Sequence, residues 1–275
     1  LTVAGNVSVD GGTIKLDGAY PVGTANTALG DAALDSLTTG GSNVAIGNGT
    51  LTANTSGNNN VGMGRRALLA NTSGGANVAI GLDTLYSNTT ASNNTAVGYR
   101  AAYNNTTGTD LTAMGRQALQ ANTTGKYNVA VGLQALLNNT TASNSTALGY
   151  QAAYGTTASN LVAVGYKAFG GGGITSDGVA LGYQAGLNAS SGSYSLTFIG
   201  SDAGRDNTTG NSNTGLGRRA MYQNTTGSSN TALGYYALQS NTTANSNTAV
   251  GYQAAYSNTT GAQNVALGYA ALALN

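Results

Sequence analysis

The sequence predicts an all-β fold, a parallel β-solenoid of about fifteen coils, and three observations predict it. A glycine preceded by an Ala-aliphatic pair recurs at a near-constant spacing of 17 residues. Asn-Thr-Thr triplets recur with the same period, as in Asn105-Thr106-Thr107 and Asn122-Thr123-Thr124. The segments between these landmarks are too short for helices and have the alternation of short strands bounded by turns.

In chain order, residues 1–25 stand apart. Leu1-Thr2-Val3, Val7-Ser8-Val9, the Gly11-Gly12 pair and Thr13-Ile14-Lys15-Leu16 read as a hairpin that leads through Pro21 into the first coil. Residues 26–275 are the repeat. Its glycines run from Gly30, Gly47 and Gly64 to Gly234, Gly251 and Gly268, and twelve of the fourteen intervals equal 17. Asn247 to Gln263 shows the unit cleanly. Asn247-Thr248-Ala249-Val250 reads as one short strand ending at Gly251, and Ala254-Ala255-Tyr256 as a second ending in the Asn258-Thr259-Thr260-Gly261 turn, so two strands and two turns per coil are expected.

Glycine and the Asn-Thr pairs interrupt any apolar stripe before two helical turns accumulate, which excludes helix. Disorder is the stronger competitor. The aliphatic residue before each coil glycine, from Leu29 and Ile46 to Val250 and Leu267, is never lost, and a disordered linker has no reason to keep it. Coils stacked about 4.8 Å apart would align these residues into one column. That column is the expected core, with the Thr or Val two residues earlier on the same face. The intervening Ala, replaced only by Gly62, Phe198 and Gly215, is expected on an opposite, flat face. Ala102-Tyr103, Ala153-Tyr154 and Ala255-Tyr256 suggest that a tyrosine compensates a missing Leu. Residues 155–206 contain both departures from the period, the Gly170 to Gly173 run and Phe198; they read as modified coils with longer turns and a candidate bend.

Composition excludes several function classes. Ten basic and nine acidic residues give a net charge of +1, far from the excess a nucleic-acid binder needs. The chain has no Cys, His, Trp or Glu, so thiol and imidazole chemistry is absent; no metal site, cofactor or catalytic residue is expected. No apolar run approaches the roughly 18 residues of a membrane span, and Leu1 does not begin a signal-peptide pattern. An acyltransferase of the hexapeptide-repeat kind would share the solenoid shape, but it needs a six-residue period and a His base. Not an enzyme is the reading.

Four features are candidate sites. Asp31 with Asp35, and Asp202 with Asp206, could bind a cation but read as solvated turn residues. Arg65-Arg66 and Arg218-Arg219 could read anionic glycans or phosphate, against the plainer role of charged turns that keep fibres apart. Tyr99, Tyr150, Tyr166, Tyr183, Tyr235, Tyr252 and Tyr269 share one coil position and would stack, as packing or as a sugar-binding stripe. Asn88, Asn105, Asn122, Asn207, Asn224, Asn241 and Asn258 match the glycosylation sequon but read first as a turn ladder. Stacked Thr rows keep an ice-binding solenoid as a remote alternative.

The signatures Asn43-Val44-Ala45-Ile46-Gly47 and Asn77-Val78-Ala79-Ile80-Gly81 resemble the head repeats of YadA-like trimeric adhesins. The longer form ending in N-T-T-G is similar to YadA-type repeats in phage tail-fibre proteins. The resemblance spans residues 26–275. It implies a left-handed β-roll assembled as a homotrimer with an attachment role. The opening Leu1 to Leu16 also looks like tail-fibre sequence. The expectation is therefore a shaft segment of a virion tail fibre, with other fibre or baseplate proteins as partners and host glycans reached through a tip; the alternative is a bacterial surface adhesin.

Overall fold

A computed structural model of the chain describes residues 25–172, 176–190 and 192–274. The expected hairpin over residues 1–25 lies outside the described residues but for Ala25.

Each coil contributes one β-strand, from β1 (Thr27–Leu29), β2 (Val44–Ile46) and β3 (Val61–Met63) to β15 (Val265–Leu267), all in one sheet in sequence order. Every pairing is parallel and joins equivalent residues, as in Val61↔Val78, Gly62↔Ala79 and Met63↔Ile80. This is a parallel β-solenoid of about fourteen turns, with no helix among the described residues. At about 4.8 Å per step the sheet extends roughly 70 Å along its axis.

The expected second strand is absent among the described residues. After the coil glycine the backbone instead alternates into left-handed conformations at the second and fourth residues. In the coil that starts at Gly64 these are Arg66 at φ 58° and Leu68 at φ 53°. A third left-handed residue precedes each three-residue strand, for example Asn59 at φ 58°, and is the second residue of each six-residue strand, as Asn160 is of Ser159–Val164. A non-glycine residue there costs about 1–2 kcal/mol. The compensation lies in where the N–H groups point. Arg66 donates to Asn48 O of the preceding coil at 2.9 Å, while Leu68 donates to Thr84 O of the following coil at 3.0 Å. Non-sheet backbone is thereby stitched to both neighbours, and buried N–H groups stay paired.

The coil glycine itself is obligatory. Gly115 sits at φ +131°, and a Cβ on it would lie 2.5 Å from the Gly132 carbonyl oxygen. No L side chain fits that backbone or that space.

The core overturns one expectation. The Ala at each strand centre faces inward and is fully enclosed at Ala45, Ala79, Ala113, Ala130, Ala147 and their equivalents. It packs on the residues three and four after the glycine, such as Ala67 with Leu68 and Ala118 with Leu119. The aliphatic residues expected to form the core face outward instead: Met63 is 39% exposed, Ile80 38%, Met114 43% and Leu148 48%. The reason is thickness. One strand faces the turn residues of its own coil across a narrow gap, filled in the regular coils by Ala opposite Leu or Ala. Tyr103, Tyr154 and Tyr256 do not fill the core either; they stand half-exposed outside it, next to the buried Ala102, Ala153 and Ala255.

Polar ladders line the corners. Asn71 Nδ2 donates to Asn54 Oδ1 at 2.8 Å and to Gly74 O at 2.9 Å, and its own Oδ1 accepts from Asn88 Nδ2 at 2.8 Å. A second ladder precedes the strand: Asn60 N and Nδ2 both donate to Asn43 Oδ1, and Nδ2 also reaches Gly74 O at 2.8 Å. Each such bond contributes about 1 kcal/mol net, and leaving one buried partner unpaired costs more. The repeat therefore specifies its own register.

Over residues 155–206 the strands lengthen to six residues, β9 (Ser159–Val164), β10 (Ser176–Leu181) and β11 (Tyr194–Ile199). Pairing continues through them, Leu148↔Val164 and then Val164↔Leu181↔Ile199, so the 16- and 18-residue intervals are absorbed outside the sheet. Longer strands, rather than only longer turns, distinguish this stretch.

Candidate functional site

Two surfaces stand out from a molecule that is otherwise turns and ladders. The first is the outer face of the sheet. The strand ends Leu29, Met63, Ile80, Met114, Leu148 and Leu216 are exposed, and the Thr or Val two residues before each of them shares that face. Parallel in-register pairing turns these residues into two continuous columns. Extended apolar faces of this kind mark association sites.

The second surface follows the coil glycine, where the tandem arginines sit. Arg65 and Arg218 are exposed, whereas the second member of each pair turns to an acid one coil away. Arg66 forms a two-pronged pair with Asp83, its Nε 2.8 Å from Oδ1 and its Nη2 2.9 Å from Oδ2, and the Asp83 side chain is only 2% exposed. Arg100 approaches the same carboxylate from the other side, Nε to Oδ2 3.7 Å. In the other cluster Arg219 Nε lies 3.7 Å from Asp202 Oδ2, and Arg205 Nε donates to Asp206 Oδ1 at 3.0 Å. The Asp202 and Asp206 carboxylates thus hold arginines. Asp31 accepts from Asn48 Nδ2 at 3.2 Å. No group of three or more potential metal ligands occurs among the described residues.

Aromatic rings flank the arginines. The Arg100 guanidinium lies 5.2 Å from the Tyr99 ring centre and 5.1 Å from that of Tyr103, and Arg205 lies 4.4 Å from Tyr222. Tyr86 and Tyr103 stack at 4.9 Å. The expected tyrosine column forms in two runs, Tyr150-Tyr166-Tyr183 at 5.2 and 5.1 Å and Tyr235-Tyr252-Tyr269 at 5.5 and 5.1 Å. Their planes are within 10° of parallel, so within a run the rings cover one another's faces and present edges and hydroxyls outward. Such a column suits packing better than face-on sugar stacking. Tyr99 stands outside both runs, between Leu82 and Arg116 in the same coil position. Beside the second run, the hydrogen bond between Tyr235 and Tyr236 raises the first hydroxyl's pKa above the ordinary 10.0 and lowers the second's.

The sequon asparagines are structural. Asn88, Asn105, Asn122, Asn207, Asn224 and Asn241 are wholly buried, and the side-chain nitrogens of these ladder residues donate to the carbonyl three residues on, as Asn105 does to Gly108 O at 2.9 Å. A nitrogen committed in this way is closed to a glycosylating enzyme. The first Thr of most triplets also commits its hydroxyl, as in Thr106 Oγ1 to Thr123 O at 3.0 Å.

A shallow depression between turns is lined by Asn104, Gln117, Gln120, Ala121, Leu137 and Asn138. Its volume of about 180 Å³ falls below the roughly 300–1,000 Å³ of ordinary ligand pockets. No described helix is long and apolar enough to cross a membrane. Neither the protein-family models nor the curated proteins contain a match to the chain.

The outward aliphatic face was missed by sequence reasoning although a signal for it existed. The strand-centre site admits only Ala, Gly or one Phe, a ceiling on size that marks an interior. The site before the glycine exchanges Leu, Ile, Val and Met freely, which marks a surface that is apolar but not tightly fitted.

Proposed function

We propose that the chain is a structural shaft segment of an extracellular attachment fibre of the phage tail-fibre type, in which three copies pack through their outward sheet faces. The observation that carries this reading is the aliphatic column, kept in every coil yet left partly uncovered by the single chain. Residues kept for a core lie inside; residues kept for association lie where another copy reaches them. The resemblance to YadA-like repeats adds the trimer number, the left-handed winding and the attachment role. Work is done by reach and stiffness: coils locked by backbone and Asn ladders hold a receptor-binding tip away from the particle.

A bacterial trimeric surface adhesin is the second reading, favoured by the same Asn-Val-Ala-Ile-Gly signatures. An ice-binding solenoid is less well supported, since the first Thr row has its hydroxyls committed and leaves a single freely exposed row at Thr107, Thr124 and Thr141.

Light scattering on the purified chain tests the assembly. A particle of three times the 27.1 kDa chain mass is expected, and Ile80→Asp with Val131→Asp should reduce it to single chains that retain β circular dichroism. A wild-type chain that stays monomeric at micromolar concentration overturns the proposal.

A further inference from the structure

We propose that the flank between Gly64 and Gln117 is a lateral binding site for an acidic saccharide chain, its carboxylates or sulfates held by Arg65, Arg100 and Arg116. The inference goes beyond the shaft reading and does not depend on it. Charge placement is the first observation. Residues 64–117 carry Arg65, Arg66, Arg100 and Arg116 against Asp83 and Asp110, a balance of +2 where the whole chain has +1. Both acids are occupied. Asp83 is buried and gripped by Arg66, and Asp110 accepts from Asn93 Nδ2 at 3.2 Å, before the strand rather than after the glycine.

The remaining cations are placed to act together. Arg65 and Arg116 are exposed and have no acidic partner among the described residues. Between them Arg100 is held against the Tyr99 and Tyr103 rings, and its Nε is buried with no hydrogen-bond partner, since Asp83 stands at 3.7 Å. Arg65, Leu82, Tyr99 and Arg116 occupy the same position in four successive coils, so the outer arginines are roughly 14 Å apart with an apolar and an aromatic residue between them. One small anion reaches one arginine at that spacing. A linear chain with recurrent anionic groups and apolar ring faces between them reaches all three. In the cluster at Arg205, Arg218 and Arg219 the acids Asp202 and Asp206 leave a balance of +1 against +2 in the first cluster, and both acids face its arginines, which selects the first cluster. A nucleic acid, with a charge every ~3.4 Å of strand, would need more cations than this flank supplies.

Calorimetric titration of the full chain with a linear oligogalacturonate tests the site. Saturable binding that weakens as salt rises is expected, with none for a neutral oligosaccharide of the same length. Arg65→Gln with Arg116→Gln should lower the affinity by about tenfold or more, while Arg218→Gln leaves it unchanged. All three substituted side chains are exposed, and unaltered melting and particle mass would confirm that fold and assembly are retained. The proposal is overturned by absence of saturable binding, by equal binding of the neutral oligosaccharide, by an equal loss in Arg218→Gln, or by a single-stranded oligonucleotide binding as tightly as the saccharide.

Discussion

The coils before Gly149 and the stretch from Gly155 to Asp206 solve the same packing problem with different parts. In the earlier coils the corners are Asn ladders, the second interrupted only at Leu111 and Ser145, and the core is Ala against Leu or Ala. In the later stretch Thr156 and Ala189 stand where ladder asparagines would, Leu161 and Leu196 replace the second ladder, and Phe169 and Phe198 enter the core. Gly186 and Gly204 occupy the site that is Leu in most regular coils, with the Phe169 and Phe198 rings in the vacated space, and Gly215 clears the strand next to Phe198. The sheet is indifferent to the exchange, since its register runs on through β9 to β11. The backbone ladder is thus the invariant, and corner polarity and core volume are adjustable so long as each sums correctly within neighbouring coils.

The largest expected effect is at the coil glycine, which both regions share, set against a turn glycine found only in the later stretch. Gly115→Val places a side chain on a φ +131° backbone and against the Gly132 carbonyl, and a loss of about 4 kcal/mol is expected from backbone strain and the clash together. Because stability in a solenoid is distributed among neighbours, hydrogen exchange should show protection lost first in the coils flanking residue 115. Gly192, at φ 104° with no heavy atom of the described residues within 4 Å of where a Cβ would stand, should tolerate Ala with a loss confined to backbone strain. Equal losses at the two sites would mean that close approach of coils is not what the repeat glycine serves.

The phenylalanine exchange is next in size. Phe198→Ala should cost about 3–5 kcal/mol by leaving a cavity, and Gly204→Leu about 1–3 kcal/mol by overpacking against the ring. The double variant restores the Ala-opposite-Leu arrangement of the regular coils and should recover most of both losses in a denaturation cycle. Additive losses would refute the volume exchange.

Much of this architecture was readable from residue spacing. The coil glycines, the parallel register and the Asn turn ladder follow from period alone, because identical residues at identical intervals stack only one way. Which face is interior did not follow. Alternation says that Ala and its aliphatic neighbours point apart, but not which of them points in, and size favoured the wrong answer at Ile46 and Val97 because the interior is thinner than an aliphatic pair. The segment Ala254-Ala255-Tyr256 reads as a strand because left-handed backbone at Gln253 and Ala255 has no composition signature; Arg, Leu and Ala all occupy it in other coils. Pairing of Arg66 with Asp83 spans one period, so it was visible only once the period was turned into neighbours in space.

That unmarked left-handed backbone supports the smallest and most discriminating prediction. The residue before the Asn ladder is left-handed in nearly every coil, and the equivalents of Tyr127 include Asn59, Asn93, Asn144 and Asn160, all near φ 60°. Asn adopts this conformation at lower cost because its short amide bonds locally, whereas Tyr127, at φ 59° and 59% exposed, meets the steric penalty without gaining a core contact. Tyr127→Asn should therefore stabilise the chain by about 0.5–1 kcal/mol and raise the melting temperature slightly. The same exchange in the reverse direction, Asn144→Tyr, should cost a similar amount. If both substitutions lowered stability, the tyrosine would be engaged by something the single chain lacks, and the flank beside it would have to be redrawn as an interface between copies.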